Sequence, residues 1–488
     1  MTENNRNNSC DTKSVGKKPE TNQLRQFIIA MGVLLILIIC IAVQFGTNQD
    51  GFVKGLDSEA ENYGFHDAKV ISLYMIEGFV LGYVLQRAFF GFTSAFTKPL
   101  KFHDFSTSKA VLVLLLVSTF AITFAQVGIN YAAGEQVPNQ WHTGDQLRGY
   151  DYYLIRGNAI SFSLILGGLL FGVGMTYASG CASGTLSHWA EGNARGLFVI
   201  IGFMIGGFVG IIFKEAMTNQ NSWMGKGPYI SFWDAMGVVG GMIFNLFLIS
   251  MVYVFILYLE KKWGNKDKIK KQKDFVKIQD DMYEQFRPRF IKNEKLSRTY
   301  YSLFTRNYTI MTGALVIAVI GVSIYTATGT FGISTTYAMW PTYAVSGIFG
   351  DVEKATYGTG IVVDGTLTLG LSPEQILMVN SGWYGFWRDG ESWQDIMIIF
   401  GALFSILMQG KFKFKSNNLS VKRASIFLMG GILMGFSTRI GGGCNIGALY
   451  DPIITASLSG YVFGIGMMGG AFIAYQSFKI IDPPSMTD

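Results

Sequence analysis

The segment FGVGMTYASGCASGTL, residues 171–186, interrupts an apolar run with glycines, hydroxyl side chains and one cysteine. The segment MGFSTRIGGGCNIGAL, residues 434–449, has the same pattern when Cys444 is aligned with Cys181. The positions that then coincide are Gly172 with Gly435, Gly180 with Gly443, Gly184 with Gly447, and Leu186 with Leu449. A glycine-rich apolar segment follows each copy, at 196–207 and 460–471. We interpret the two copies as an internal repeat of helix, GCxxG loop and helix.

The composition around this repeat is typical of a membrane protein. Half of the 488 residues are hydrophobic and 15% are charged, whereas about a quarter of a soluble protein is charged. Clusters of charge separate apolar runs of about 20 residues, the length that crosses a bilayer. We therefore predict an all-α, polytopic helical integral membrane protein within the lipid bilayer. The predicted spans are 27–46, 71–96, 110–132, 159–178, 196–213, 233–259, 308–326, 395–410, 424–441 and 460–480.

These spans divide the chain into four regions. They are a disordered cytoplasmic tail 1–26, a first membrane half 27–260, a basic cytoplasmic linker 261–307 and a second membrane half 308–482. The segment 327–393 is too polar to cross and is expected on the outer side. Starting from a cytoplasmic N-terminus, the ten spans place the Lys- and Arg-rich loops inside, as the positive-inside rule requires. Both termini are then cytoplasmic.

The same count of ten spans gives the two copies of the repeat opposite directions across the membrane. The helix before Cys181 crosses from outside to inside, and the helix before Cys444 crosses from inside to outside. Inverted repeats with broken helices are a common transporter architecture, with the site near the bilayer midplane. Irregular backbone at membrane depth must be buried or line a cavity. We therefore predict two re-entrant GCxxG loops, each followed by a short helix whose N-terminus favours anions.

Both GCxxG segments, together with LQRAFFGFTSAF at 85–96, resemble the YeeE/YedE family of sulfur-compound transporters. The resemblance implies uptake of a small sulfur-containing anion, with thiosulfate as the expected substrate, across a bacterial cytoplasmic (inner) membrane. It also implies that Cys181 and Cys444 line a narrow central path and hydrogen-bond the passing anion. The family commonly has cysteine where this chain has Gly91, so a related sulfur or selenium species stays an alternative substrate. A soluble sulfur-carrier protein that docks on the linker is a partner suggested only by the family.

The expected path residues surround the two cysteines. A neutral thiol is a weak donor, and weak successive sites let an ion leave as well as bind. Arg439 is an intramembrane cation that either attracts the substrate or pairs with Asp451. Cys10, in the tail, and Cys40, in an apolar run, are expected to have no role. The candidate residues are Cys181, Cys444, Gly180, Gly184, Gly443, Gly447, Thr185, Asn445 and Arg439.

Other classes of function remain as alternatives. A membrane thiol-redox protein would use the two cysteines as a pair, and a membrane scaffold would use neither. We do not expect an enzyme, because no base or cofactor motif accompanies the cysteines, and we expect no cofactor. The cysteines and histidines have no metal-ligand spacing. We interpret His188, Glu191 and Arg195 as a charged interface turn, with an anion-attracting entrance as the alternative. We interpret the basic linker as lipid-facing rather than nucleic-acid-binding.

Overall fold

The computed structural model describes residues 20–49, 68–133, 157–264, 283, 291, 293–328, 331–350, 352–354, 362–363, 366–369, 371, 373–413 and 420–481. Within these ranges, ten helices are long and apolar enough to cross a membrane. Each of them overlaps one of the ten predicted spans. The prediction of a polytopic helical membrane protein is confirmed.

The described residues of the first half of the chain form eight helices. They are α1 Glu20–Gln49, α2 Ala68–Ala88, α3 Phe92–Phe102, α4 Ser106–Ala133, α5 Phe162–Ala178, α6 Ala182–Ala190, α7 Ala194–Thr218 and α8 Phe232–Trp263. Polar side chains cap several of them; Ser161, for example, accepts the backbone N–H of Leu164 at the start of α5. Because α1 begins at Glu20, residues 20–26 are helical rather than part of a disordered tail. Residues 1–19 lie outside the described residues.

The second half contains both long and short elements. Its helices are α9 Glu294–Tyr300, α10 Ile310–Thr328, α11 Thr336–Phe349, α12 Pro373–Asn380, α13 Trp383–Arg388, α14 Gly390–Met408, α15 Val421–Ile440, α16 Asp451–Ile454 and α17 Leu458–Ile481. Two stretches, Tyr301–Thr305 and Asn445–Tyr450, are π-helical. Such π-helical turns are uncommon and often occur at functional sites.

A small sheet departs from the predicted all-α fold. Its strands are β1 Val352–Lys354, β2 Val362–Val363 and β3 Thr366–Leu369, within the segment expected to be too polar to cross. Strand β1 pairs parallel with β3, and β2 pairs antiparallel with β3. The strands are too short to span a bilayer, which needs about 9–11 residues per strand.

The end of the predicted linker packs against the membrane part. Tyr300 of α9 is buried, and its hydroxyl donates to the carbonyl oxygen of Met408 at 2.9 Å. Its ring contacts Phe27 of α1, with ring centroids 6.2 Å apart. Residues 265–282 of the linker lie outside the described residues. The C-terminal part of the linker is therefore an anchored structural element.

Four helices, α5, α7, α15 and α17, pack backbone to backbone at the centre. Glycines make this approach possible, because a Cβ on Gly172 would overlap the carbonyl oxygen of Met467, and one on Gly206 would overlap that of Ile432. Helix α5 thus packs on α17, and α7 packs on α15. The two helices that precede the cysteines are each paired with the helix that follows the other cysteine.

The glycine contacts also give the helix directions. Gly202 packs against the Leu428 backbone and Gly206 against the Ile432 backbone. Because the residue numbers rise together along both helices, α7 and α15 run parallel. Gly168 lies on Phe463 and Gly172 on Met467, so α5 and α17 also run parallel. In contrast, α5 and α15 run antiparallel, because Gly167 meets Gly441 whereas Gly174 meets Gly430.

Candidate functional site

The first cysteine lies in a sharp break between α5 and α6. Helix α5 ends at Ser179, whose φ of +56° is in the left-handed region. Cys181 then has extended backbone and caps α6. The Cys181 Sγ lies 3.5 Å from Ser183 Oγ, and the Thr185 hydroxyl donates to the Cys181 carbonyl oxygen at 2.7 Å. The thiol is therefore buried at the first turn of a helix.

The second cysteine occupies the corresponding break after α15. Gly442 and Gly443 have φ of +76° and +147°, which other residues rarely adopt. Cys444 follows them, and its Sγ accepts the backbone N–H of Ile446 at 3.5 Å. Its φ and ψ of −91° and −164° are close to the −91° and −175° of Cys181. Both cysteines are free thiols in the same local backbone conformation.

The two cysteine loops meet at Tyr337 of α11. Cys181 and Cys444 interact electrostatically with each other, and Tyr337 interacts with both. The buried Tyr337 hydroxyl donates to the carbonyl oxygen of Ala182 at 3.2 Å. On the other loop, the Nδ2 of Asn445 lies 4.0 Å from the Met175 sulfur. The fold thus brings both predicted cysteines to one buried centre.

A series of polar contacts connects Arg439 to this centre. Its Nε donates to Thr438 Oγ1 at 3.3 Å, and its Nη2 donates to Ser334 Oγ at 3.4 Å. Ser334 in turn approaches the Cys444 thiol. Asp451 accepts the backbone N–H of Phe331 at 3.2 Å. These contacts connect the guanidinium of Arg439 to the second cysteine through one hydroxyl.

A cavity of about 230 Å³ adjoins the first cysteine. The first turns of α3 and the residues around Cys181 form its wall, and Lys98 supplies a positive charge. The hydroxyl of Thr93 lines it and has no hydrogen-bond partner among the described residues. His188 and Glu191, predicted to form an interface turn, also line it, with His188 Nδ1 3.6 Å from the Glu191 carboxylate.

A second cavity, of about 200 Å³, lies beside the second loop. Lys214, Arg439 and Asn158 line it together with Gly441 and Gly442. It adjoins the N-terminal end of α5, whereas the first cavity adjoins the C-terminal end. Since α5 has 17 residues, its ends are about 25 Å apart. The two cavities therefore lie at opposite ends of the helical core. Each is lined by at least one positively charged side chain.

The predicted glycines have different surroundings. A Cβ on Gly184 would lie 3.5 Å from Cys181 Sγ, and one on Gly180 would lie 3.3 Å from Thr185 Oγ1. A Cβ on Gly443 would lie 2.8 Å from the Gly447 backbone, while one on Gly447 would make only an ordinary contact with the Gly442 carbonyl oxygen, at 3.9 Å. Gly184 and Gly447 thus leave room beside the two thiols, and Gly443 is needed for the turn itself.

Sequence reasoning missed Ser334 and Tyr337, although a signal for them exists. The segment FGFTSAF at 90–96 aligns with FGISTTY at 331–337, so that Thr93 matches Ser334. We call these two stretches the FG segments. Thr93 lines the cavity of the first cysteine, and Ser334 approaches the second cysteine. Each cysteine loop therefore has a hydroxyl from a similar FG segment beside it.

Within the described residues, ten helices long and apolar enough to cross a membrane surround a centre flanked by two cavities, an arrangement that is common among membrane transporters. A sequence profile of the sulphur transport family matches residues 87–473, which include both cysteine loops and both FG segments. The chain belongs to this family.

Individual relatives match parts of the chain. The thiosulfate transporter TsuA of Spirochaeta thermophila is 31% identical over 153 residues, which cover 31% of this chain and 39% of the relative. The probable transporter YedE of Escherichia coli is 24% identical over 196 residues, which cover 40% of this chain and 42% of the relative. YedE of Salmonella typhimurium is 23% identical over 209 residues. The matches thus span less than half the length of these curated relatives.

Proposed function

We propose that this protein takes up a small sulfur-containing anion, thiosulfate, along a central path past Cys181 and Cys444. The observation that carries the proposal is the pair of cavities at opposite ends of α5, each beside one cysteine loop. Lys98 in one cavity and Arg439 in the other provide the positive charge that attracts an anion. The name of the Spirochaeta relative supports thiosulfate as the substrate.

The path is built from two inverted repeats. Antiparallel packing of α5 and α15 supports this arrangement, as does the matching backbone of Cys181 and Cys444. Each repeat contributes one re-entrant GCxxG loop and one FG segment. With the basic loops inside, the first cavity faces the cytoplasm and the second faces outside, across a bacterial inner membrane.

Movement through the centre depends on weak, successive contacts. An anion that arrives at Arg439 passes Ser334 and the Cys444 thiol, then the Cys181 thiol, and leaves past Lys98. Thr185 and Asn445 stabilise the two loops beside the thiols. Thiols suit this role because each donates weakly and neither carries a charge that would repel the anion. On the cytoplasmic side, the linker is the proposed docking site for a soluble sulfur-carrier protein that receives the transported anion.

Uptake of labelled thiosulfate into proteoliposomes tests the proposal. The purified full-length chain is expected to transport thiosulfate, with unlabelled thiosulfate competing better than sulfate or selenite. Stronger competition by a selenium or another sulfur species would make that species the substrate. Absence of any transport, with a disulfide between Cys181 and Cys444 under mild oxidant, would favour the thiol-redox alternative.

A further inference from the structure

A fully buried carboxyl lies inside a membrane-spanning helix, one layer away from the cysteine centre. Asp395 is in the second turn of α14 and is 0% exposed. The Thr336 hydroxyl of α11 lies beside its carboxyl group. Among the described residues, neither carboxyl oxygen otherwise forms a hydrogen bond. A buried carboxyl with so few polar neighbours is rare and requires an explanation.

Two other buried acids make capping or backbone contacts. Asp389 caps α14 by accepting the Glu391 N–H at 3.2 Å, and it accepts the Ser392 hydroxyl at 2.5 Å. Asp451 accepts the Phe331 N–H. Within the described residues, Asp395 has the Thr336 hydroxyl beside it but accepts no backbone N–H, so helix capping does not explain its position.

The surroundings suit a proton better than a metal ion. The described residues contain no group of three His, Cys, Asp or Glu side chains that could hold a metal. A single ionised carboxylate without partners is strongly disfavoured in a low-dielectric interior, and binding one proton removes the charge. Acidic residues within membrane spans commonly mark ion or proton pathways. A proton is the ligand that one isolated carboxyl can carry.

Tyr337 connects this carboxyl to the substrate path. Tyr337 interacts electrostatically with Asp395 and also with Cys181 and Cys444. Its hydroxyl donates to the carbonyl oxygen of Ala182, next to the first cysteine. A change of charge on Asp395 therefore acts on a side chain that contacts the centre of the path.

Among the described residues, the titratable groups that interact with Asp395 are Asp389 and Glu391 on α14 and Tyr337 on α11. Tyr74 of α2 packs on Gly390, at the start of α14. Helix α2 packs Gly78 against the Gln394 backbone of α14. The α2 carboxyl, Glu77, approaches Ser323 of α10. The titratable side chain of α6, His188, pairs with Glu191. Helix α1 faces α14 with apolar side chains such as Val33 and Leu37.

We propose that Asp395 binds and releases one proton in each transport cycle, so that the sulfur anion enters together with a proton. The step forms one O–H bond at the carboxylate and breaks it again on release, and it needs no redox partner. Cotransport of a proton also offsets part of the negative charge that the anion carries toward the negative inside of a cell. This inference rests on the proposed function.

Proteoliposomes with a trapped pH-sensitive dye test the coupling. Labelled thiosulfate and proton movement are measured together for the parent protein, with and without a pH gradient. For one proton per anion and a membrane potential held at zero, a gradient of one pH unit supports about a tenfold accumulation. Exchange of labelled for unlabelled thiosulfate without a gradient is measured in parallel, because exchange needs no net proton movement.

We expect Asp395→Asn to lose the gradient-driven accumulation and the proton signal while exchange continues. Asp395→Glu, which keeps a carboxyl, should retain both, and Glu391→Gln on the same helix is the matched control. Equal accumulation by Asp395→Asn and the parent would overturn the inference. So would a parent that transports thiosulfate without any proton signal, or with a requirement for Na⁺, even if Asp395→Asn fails to fold. A parent without exchange would instead refute the proposed function.

Discussion

At the scale of single residues, the two thiols have neighbours that favour weak contact with an anion. Cys444 Sγ already accepts the Ile446 N–H, and Cys181 Sγ lies beside the Ser183 hydroxyl. Gly184 leaves space at the first thiol, as Gly447 does at the second loop. On the proposed path, an anion would therefore replace these weak local contacts without first breaking a strong ion pair.

Removal of either thiol should stop transport without unfolding the protein. We expect Cys181→Ala and Cys444→Ala each to reduce thiosulfate uptake to near the level of empty liposomes. The small cavity left behind should cost on the order of 1 kcal/mol of stability. Cys→Ser at either site keeps a donor but shortens its reach and holds the anion more tightly, so uptake should be slowed. Initial rates at equal protein abundance provide the measurement.

Cys40 supplies the matched control, because it lies half-buried in the apolar helix α1. Cys40→Ala should transport like the parent. Parent-like uptake by Cys181→Ala or Cys444→Ala would mean that the altered thiol is only a packing residue.

The cysteines could be found from the sequence because their chemistry and spacing are repeated. The proximity of Tyr337 to Asp395 could not, since they are 58 positions apart in the chain and are brought together only by packing of α11 against α14. An isolated Asp in an apolar run can equally be a helix-end residue. Only its complete burial, away from backbone N–H groups, marks it as unusual.

At the scale of elements, glycine contacts determine which helices pair. The ten spans follow from hydropathy, but their partners depend on backbone contacts such as Gly202 on Leu428. Small residues allow such contacts between membrane helices, where the lipid supplies little apolar driving force. The linker end, α9, was missed because a seven-residue polar helix has no hydropathy signal; Tyr300 and its ring contacts stabilise it.

A methyl group at a central contact should destabilise the core. Gly206→Ala must move α7 away from α15, because the added Cβ overlaps the Ile432 carbonyl oxygen. We expect a loss of about 1–3 kcal/mol, as for other overpacked sites. Thermal unfolding in one detergent measures the effect. Gly469→Ala on α17 is the control, since its Cβ would meet nothing within 4 Å; an equal loss there would show that the close contact is not the cause.

The two parts of the linker should differ in their importance. Replacing 265–282 with a Gly/Ser linker of equal length should leave uptake unchanged, because flexible linkers of this length still let the two halves meet. Tyr300→Ala, in contrast, removes a buried ring and its hydrogen bond to Met408, and should cost roughly 3 kcal/mol. The exposed Leu296→Ala on the same helix is its control. Loss of uptake after the 265–282 replacement, at normal abundance, would favour a partner-docking role for the linker.

At the scale of the whole molecule, the antiparallel α5 and α15 let the two loops enter from opposite ends of the core and meet at its centre. Moving one charge across a membrane involves about 2.3 kcal/mol per 100 mV, so a dianion moving to the negative side requires about twice that. The cations in the two cavities lower the local barrier but cannot supply this energy. One proton per dianion cancels one of the two charges, so the proton bound by Asp395 halves this electrical cost, and a pH gradient must supply the rest.

The inverted arrangement predicts that the two cavities open on opposite sides of the membrane. Ser187 lines the first cavity and Asn158 lines the second. Both can be replaced by cysteine in a chain with Cys10 and Cys40 changed to alanine, which keeps the two path thiols. A membrane-impermeant thiol reagent should label Ser187→Cys only in inside-out vesicles and Asn158→Cys only in intact cells. The background chain measures labelling of Cys181 and Cys444, which are almost completely buried. Labelling of both positions from one side would refute the inverted topology and the path between the cavities, because both loops would then share one aqueous face.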